Sequence, residues 1–376
     1  MKFIHPKQGF INMKRPRIRL GHVSVGRNER AYVNSVLEST YLSPGQITKQ
    51  FEREVAEAHN KKYGLALNSG QSAIMIVLEA AKLLGRIHCV AVPAVTYISS
   101  VAAAVQAGLR VRLVDVQPDA SAAIKWDEIP PECDAVLPCH LFGRVNRLHA
   151  KKTEFVCEDA CESIYAPGLG MGDAICLSFY PSHTITAGFG GMILTDDKDL
   201  YFKCWQLVNH GRQDMDDYST CHTLKERFTF SEWGYSLKFS DLNAAFGSAQ
   251  HIQRDWIIDR RRDNALRLQK ALDDISDLRF ASSENHTYMM FPVIVLSDNR
   301  DALEKALNDE NIETRRMMPI TTQPIIKEYF GAHNCEVNYP GAKFINEHGF
   351  YFGCHQGLTE MDIDFIAHTI RKFYGV

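Results

Sequence analysis

No stretch of this sequence approaches the roughly 18 consecutive apolar residues that a membrane-spanning helix needs, so a helical membrane protein is not expected. The opening Met1-Lys-Phe-Ile-His-Pro has no apolar core of the kind a secretory leader carries. Basic charge is not in excess either. Lysine and arginine number 42 against 45 acids, a formal charge of −3, which leaves out the electrostatic footprint of a nucleic-acid binder. The local basic run from Lys14 to Arg19 reads as a solvated arm. None of the ten cysteines forms a C-x-x-C pair, which speaks against a zinc or redox motif. Cys133, Cys139 and His140 match no familiar ligand spacing, so no metal is expected. Several cysteines lie in apolar runs, as in Ala174-Ile-Cys-Leu-Ser. Reduced thiols there behave as small apolar side chains, which fits a cytoplasmic protein. There is no internal repeat and no low-complexity segment.

What is present is an ordinary globular composition, 45% apolar and 23% charged over 376 residues. A chain of this size can bury a large core without disulfides, and its length favours two domains. Short apolar runs alternate with helical stretches through the first two-thirds. Tyr63 to Leu67, Cys89 to Val92, Val111 to Val116, Ala135 to Leu137, Phe155 to Cys157, Ala174 to Phe179 and Gly191 to Thr195 read as strands. Ala73 to Leu84 and Ile98 to Ala107 read as helices between them. This pattern predicts an α/β fold with a mostly parallel sheet covered on both faces. After about Asp255 the character changes to a charged helix over Trp256–Leu272, a strand over Tyr288–Val295, and amphipathic helices over Arg300–Asn308 and Asp362–Phe373. The expected division is a large domain over residues 1–255, with an arm over 1–19, and a small α+β domain over 256–376.

Three segments could carry chemistry. Asn68-Ser-Gly-Gln-Ser72 sits at a strand-to-helix turn. There Gly70 lets backbone approach a ligand, and helix N–H groups can face a phosphate. Phe155-Val-Cys-Glu-Asp-Ala-Cys-Glu-Ser163 puts acids at a strand's carboxyl end, where ligands sit in open α/β sheets. Asp159 could hold a protonated ring nitrogen, or both acids could simply cap the next helix. Leu177-Ser-Phe-Tyr-Pro-Ser-His-Thr-Ile-Thr-Ala-Gly-Phe-Gly-Gly-Met192 follows another strand. It offers Ser178 to a phosphate and His183 in a polar loop.

These segments, in this order, resemble the DegT/StrS-type sugar aminotransferase family. Leu42-Ser-Pro-Gly-Gln46, Val92-Pro-Ala-Val-Thr-Tyr-Ile, Val114-Asp-Val, His140-Leu-Phe-Gly, Asn209-His-Gly, Gly234-Tyr-Ser and Asn243-Ala-Ala resemble it too, from about Leu20 to Val376. The resemblance implies a fold-type-I enzyme that uses pyridoxal 5'-phosphate or pyridoxamine 5'-phosphate. It implies Tyr97 stacked on the cofactor ring, Asp159 on the pyridine nitrogen, and Gly70, Gln71 and Ser178 around the phosphate. It also implies a homodimer. The family's Gly-Tyr-Asn asparagine reaches the partner's phosphate; Ser236 stands in that place here.

The largest departure is His183, which stands where the family carries its Schiff-base lysine. An imidazole cannot make that covalent link, so the cofactor would be held non-covalently. Histidine can still move protons. The substitution resembles a branch of the family, the GDP-4-keto-6-deoxymannose 3-dehydratase type and the related CDP-sugar 3-dehydrase. Glu162 and the segment Gly349-Phe-Tyr-Phe-Gly-Cys-His-Gln356 lean the same way. The implied reaction removes the 3-hydroxyl of a nucleotide-linked 4-keto-6-deoxyhexose, with His183 as acid and base, Glu162 beside it, and an amino donor such as L-glutamate. Phe189 replaces a common acid and Lys238 a common arginine. Two alternatives stand beside this reading: an aminotransferase with a non-standard pocket, and an inactive cofactor- or sugar-binding protein.

Overall fold

The short apolar runs form strands because both faces of their sheet are covered. The computed structural model describes residues 16–146, 155–213, 228–331 and 338–376. Its first part runs through α1 (Arg27–Ser39), α2 (Gln46–Ala58), β1 (Tyr63–Leu67), α3 (Gly70–Leu83), β2 (Cys89–Pro93), α4 (Ile98–Gln106), β3 (Arg110–Val114), β4 (Ala135–Val136), β5 (Phe155–Asp159), β6 (Ala174–Ser178), β7 (Gly191–Thr195), α5 (Lys198–Val208) and α6 (Asp241–Ile252). The seven strands are ordered β1-β7-β6-β5-β4-β2-β3. Strands β2 to β6 pair in parallel, and β7 runs antiparallel to both β6 and β1.

Alternate residues of β6 serve the two faces. Ala174 and Cys176 join a core with Ile74, Val77 and Leu78 of α3. Ile175 and Leu177 join Phe51 and Val55 of α2 together with Phe239. Two faces buried at once explain why the runs read as continuously apolar rather than alternating.

The second part comprises α7 (Arg254–Leu272), β8 (Leu278–Phe280), β9 (Phe291–Val295), α8 (Arg300–Asp309), β10 (Thr314–Arg316), α9 (Pro324–Phe330), α10 (Pro340–His348), β11 (Gly349–Phe352) and α11 (Glu360–Tyr374). Its four strands form an antiparallel sheet, β10-β11-β9-β8. Leu268 and Leu272 of α7, Leu303 and Leu307 of α8, and Ile363 and Ile366 of α11 pack on it.

Two strands fall two or more residues short of what the sequence suggests, for identifiable reasons. Strand β3 stops at Val114 because Asp115 turns its carboxylate to the start of α10, accepting from the backbone N–H of Gly341 at 2.8 Å and of Ala342 at 2.9 Å. Strand β9 starts only at Phe291. The preceding residues spend their backbone groups on the Leu141–Gly143 turn. Thr287 N–H donates to the Gly143 carbonyl at 2.7 Å and Met290 N–H to that of Phe142 at 3.2 Å. No helix among the described residues is long and apolar enough to cross a membrane.

The packing of α2 on β1 makes a testable acid. Glu52 accepts from the Ala66 N–H at 2.7 Å, and burial pushes its carboxyl up from 4.5 to about 8. A raised carboxyl supports the fold while protonated, and that support is lost as pH climbs from 4.5 toward 8. Glu52→Gln should therefore change urea unfolding little near pH 5 and stabilise the protein by several kcal/mol near pH 8, roughly 1.4 kcal/mol for each unit of the rise. An equal effect at both pH values would show that Glu52 does not titrate this way.

Candidate active site

The site forms where α3, β5 and β6 end or begin on the same edge of the sheet. Ser69 caps α3, accepting from Ser72 N–H at 3.1 Å. The next N–H groups, of Gly70 and Gln71, lie in the first turn, before intrahelical acceptors begin. Gly70 must be glycine. A Cβ there would lie 2.6 Å from Cys161 Sγ and 2.8 Å from Ser178 Cβ. Gly70 and Ser178 are therefore in contact, and Ser178 is buried. Together they border the N-terminus of α3, where an anion could be held. The Gln71 side chain turns to Gln106, donating at 3.2 Å.

Asp159 closes β5 and is 4% exposed. One carboxylate oxygen accepts from Ser100 Oγ at 2.7 Å and the other from Cys161 N–H at 3.3 Å. Ser100 in turn shares a 2.8 Å hydrogen bond with Thr96 Oγ1. Tyr97, between them at the N-cap of α4, is 72% exposed. A buried, oriented carboxylate, an open aromatic face and an anion cradle are what a phosphorylated pyridine requires, and these residues fit one.

His183 lies in the loop after β6. Its Nδ1 is 3.3 Å from the Ser178 carbonyl. A carbonyl only accepts, so this contact places the proton on Nδ1 and leaves Nε2 with a free lone pair. Burial pushes the imidazole down from 6.5 to about 4. The buried Arg261 guanidinium adds to this, against the pull of Asp159. His183 is thus held in its neutral form near pH 7. Tyr180 meets it edge-on with ring centroids at 5.8 Å, and Phe189 meets Tyr180 at 5.6 Å. Asn243 anchors the far side of the loop, donating to the Ala187 carbonyl at 2.7 Å.

Glu162 accepts from the Phe142 N–H at 2.6 Å. Burial lifts its carboxyl from 4.5 to about 7, with Asp159 adding to the rise. Glu158, the other acid of the motif, faces away from this group. It pairs with buried His140 at 2.9 Å and takes the N–H groups of Gly170 and Gly172. Burial alone would raise Glu158, but these bonds hold it below the usual carboxylate value.

Ser236 is exposed, on a segment that runs beside the Asn68 turn. Asn68 N–H donates to the Leu237 carbonyl at 3.0 Å, and Lys238 bridges to Leu67. Lys238 is engaged by His210 Nε2 at 2.9 Å. Arg315 and Arg316 are bound to Glu313 and Glu304. Among the described residues no group of three or more His, Cys, Asp or Glu could hold a metal ion.

Ser100 and Thr96 carry no function in the sequence reading, and neither do Phe142 and Arg261.

An open, mostly parallel sheet with this site at its strand ends is the fold-type-I transferase architecture. The chain belongs to the DegT/DnrJ/EryC1/StrS aminotransferase family, which it matches over residues 23–371. It is 28% identical over 370 residues to GDP-perosamine synthase of Escherichia coli O157:H7, covering 94% of this chain and 97% of that one. It is 27% identical over 376 residues to GDP-4-keto-6-deoxy-D-mannose 3-dehydratase of Yersinia pseudotuberculosis, covering 90% and 94%. The solved E. coli GDP-4-keto-6-deoxy-D-mannose-3-dehydratase with bound hydrated PLP shares the fold, with a TM-score of 0.85 at 24% identity over 94% of this chain and 99% of that one.

Proposed function

We propose that this protein is a pyridoxamine-phosphate-dependent 3-dehydratase of a nucleotide-linked 4-keto-6-deoxyhexose. The observation that carries the reading is His183 itself. It is neutral and tethered through Nδ1, at the loop position where a covalent link would need lysine. Asp159 would hold the pyridine nitrogen, Tyr97 the ring face, and Gly70, Gln71 and Ser178 the phosphate. Bound there, the cofactor supplies the amine for the keto carbon and the electron sink. Nε2 of His183 would be the group that holds and moves the proton this chemistry transfers, out to the departing 3-hydroxyl. Glu162, poised near neutrality, holds or releases a proton beside that exchange.

An amino donor such as L-glutamate would recharge the site. We read the working form as a cytoplasmic homodimer, with Ser236 facing the partner's phosphate. Trp233 at 96% exposure and Phe189 at 63% leave apolar surface that a second copy would cover. We also take residues 1–255 and 256–376 as the two domains.

The likeness to GDP-perosamine synthase favours a second reading, an aminotransferase with a non-standard pocket whose covalent link is made by another lysine. Two measurements separate them. Purified protein is incubated with pyridoxal phosphate, treated with borohydride and dialysed, alongside His183→Lys. The wild type should release its cofactor and the lysine variant should retain it covalently. GDP-4-keto-6-deoxymannose and glutamate are then supplied. A 3-deoxy-4-keto product supports dehydration, whereas a stable amino sugar would sink it. Covalent labelling of the wild type would point to another lysine.

A further inference from the structure

Arg261 is 0% exposed, yet its Nε and Nη2 find no hydrogen-bond acceptor among the described residues. Its Nη1 donates to the Met289 carbonyl at 2.9 Å and the Tyr288 carbonyl at 3.3 Å. Burial lowers its pKa to about 10, which still leaves it charged. A guanidinium held this way is a poor device for stability alone, because a hydrocarbon of similar volume would fill the space without stranded donors. The two carbonyls it grips belong to the segment that fails to join β9. That segment instead docks on the Leu141–Gly143 turn through Thr287 N–H at 2.7 Å, Thr287 Oγ1 at 3.1 Å and Met290 N–H at 3.2 Å.

The docking is close. A Cβ on Gly143, which has φ +97°, would sit 2.5 Å from Met289 N. Phe142 is held at φ +61°, a backbone conformation that non-glycine residues adopt only when their surroundings impose it. In that conformation its N–H points at Glu162. Each link is a contact between parts of the chain far apart in sequence, and the last one is a candidate catalytic carboxylate.

We propose that Arg261 is a positioning residue for Glu162, acting through the Thr287–Met290 segment to fix the left-handed Phe142 whose N–H orients the carboxylate. The inference rests on Glu162 being part of the site proposed above. The same guanidinium also acts electrostatically on His183. Losing it loosens the Phe142 N–H. That disfavours the Glu162 anion, so its titration moves up. The other ionisable groups around Glu162 among the described residues are Asp159, Tyr351, Cys139 and Cys161.

The test is a pH titration of the full chain, labelled with δ-¹³C glutamate and read by NMR. Glu162→Gln identifies the resonance by its loss. The midpoint should rise by about one unit in Arg261→Met and by less in Thr287→Val. Arg261→Lys, whose ammonium can reach the same carbonyls, should restore most of it. An unchanged midpoint in folded Arg261→Met would overturn the proposal. If that variant does not fold, an unchanged midpoint in Thr287→Val overturns it. The titration needs no substrate, so a protein that proves inactive on the sugar leaves this result standing. In an active protein, Arg261→Met should lower turnover in the wild-type background and change it little in Glu162→Gln. Independent, multiplicative losses would mark Arg261 as merely structural.

Discussion

His183→Asn should lower dehydration turnover by about 10³-fold, within the span that a positioned acid–base group contributes, and leave cofactor binding nearly unchanged. Asparagine can keep the hydrogen bond to the Ser178 carbonyl, which now holds Nδ1 at 3.3 Å. It has no lone-pair nitrogen to accept a proton. The variant therefore separates proton transfer from shape. Product formation with saturating sugar, alongside equilibrium dialysis of the cofactor, measures the two. A turnover within tenfold of wild type would remove His183 from the chemistry. The pH profile sharpens the point. The imidazole is lowered to about 4 by burial, so its neutral form prevails from there upward and no activity limb should appear near its ordinary 6.5. A limb near 7 is expected from Glu162, and it should vanish in Glu162→Gln.

The parts of this site that were legible in the sequence are those where one residue type has few alternatives. Gly70 marks a turn where no side chain fits, and the structure packs Cys161 and Ser178 against it. Asp159 and His183 follow strands whose apolar runs announce them, and the strand ends do meet on one edge of the sheet. Strand direction was not legible. Gly191 to Thr195 has the same apolar character as its neighbours, and nothing in it says that β7 runs antiparallel.

Ser100 was missed for a related reason. In a helix of small residues a serine reads as filler, and only the fold brings it 2.7 Å from Asp159. Residues Tyr288 to Met290 misread as strand because their apolar pattern is the same in a sheet or against a turn. What decides is the Phe142–Gly143 backbone, which comes from more than a hundred residues away. The left-handed Phe142 leaves no mark in residue type at all. Propensity favours glycine or asparagine there, and tertiary contacts override it.

The other large effect is expected at Asp159, where charge and hydrogen bonding can be separated. Asp159→Ala removes a buried carboxylate, leaving a pyridine nitrogen proton with no counter-charge and Ser100 without its charged acceptor. Breaking a buried pair on one side costs about 3–5 kcal/mol, so cofactor affinity should fall by at least about 10²-fold. Asp159→Asn keeps the size and one hydrogen-bonding oxygen for Ser100 but carries no charge. It should recover much of the affinity and little of the turnover, because a neutral amide does not hold the ring nitrogen protonated. Ser100→Ala removes only the orienting donor and should cost about 1 kcal/mol. Cofactor affinity by fluorescence quenching and turnover by product analysis, across the three variants, give the ordering. If Asp159→Asn matched the wild type in turnover, the carboxylate's charge would be irrelevant and its place at the pyridine nitrogen would be wrong. If Ser100→Ala were as damaging as Asp159→Ala, the Thr96–Ser100 pair would be holding the carboxylate in place rather than tuning it.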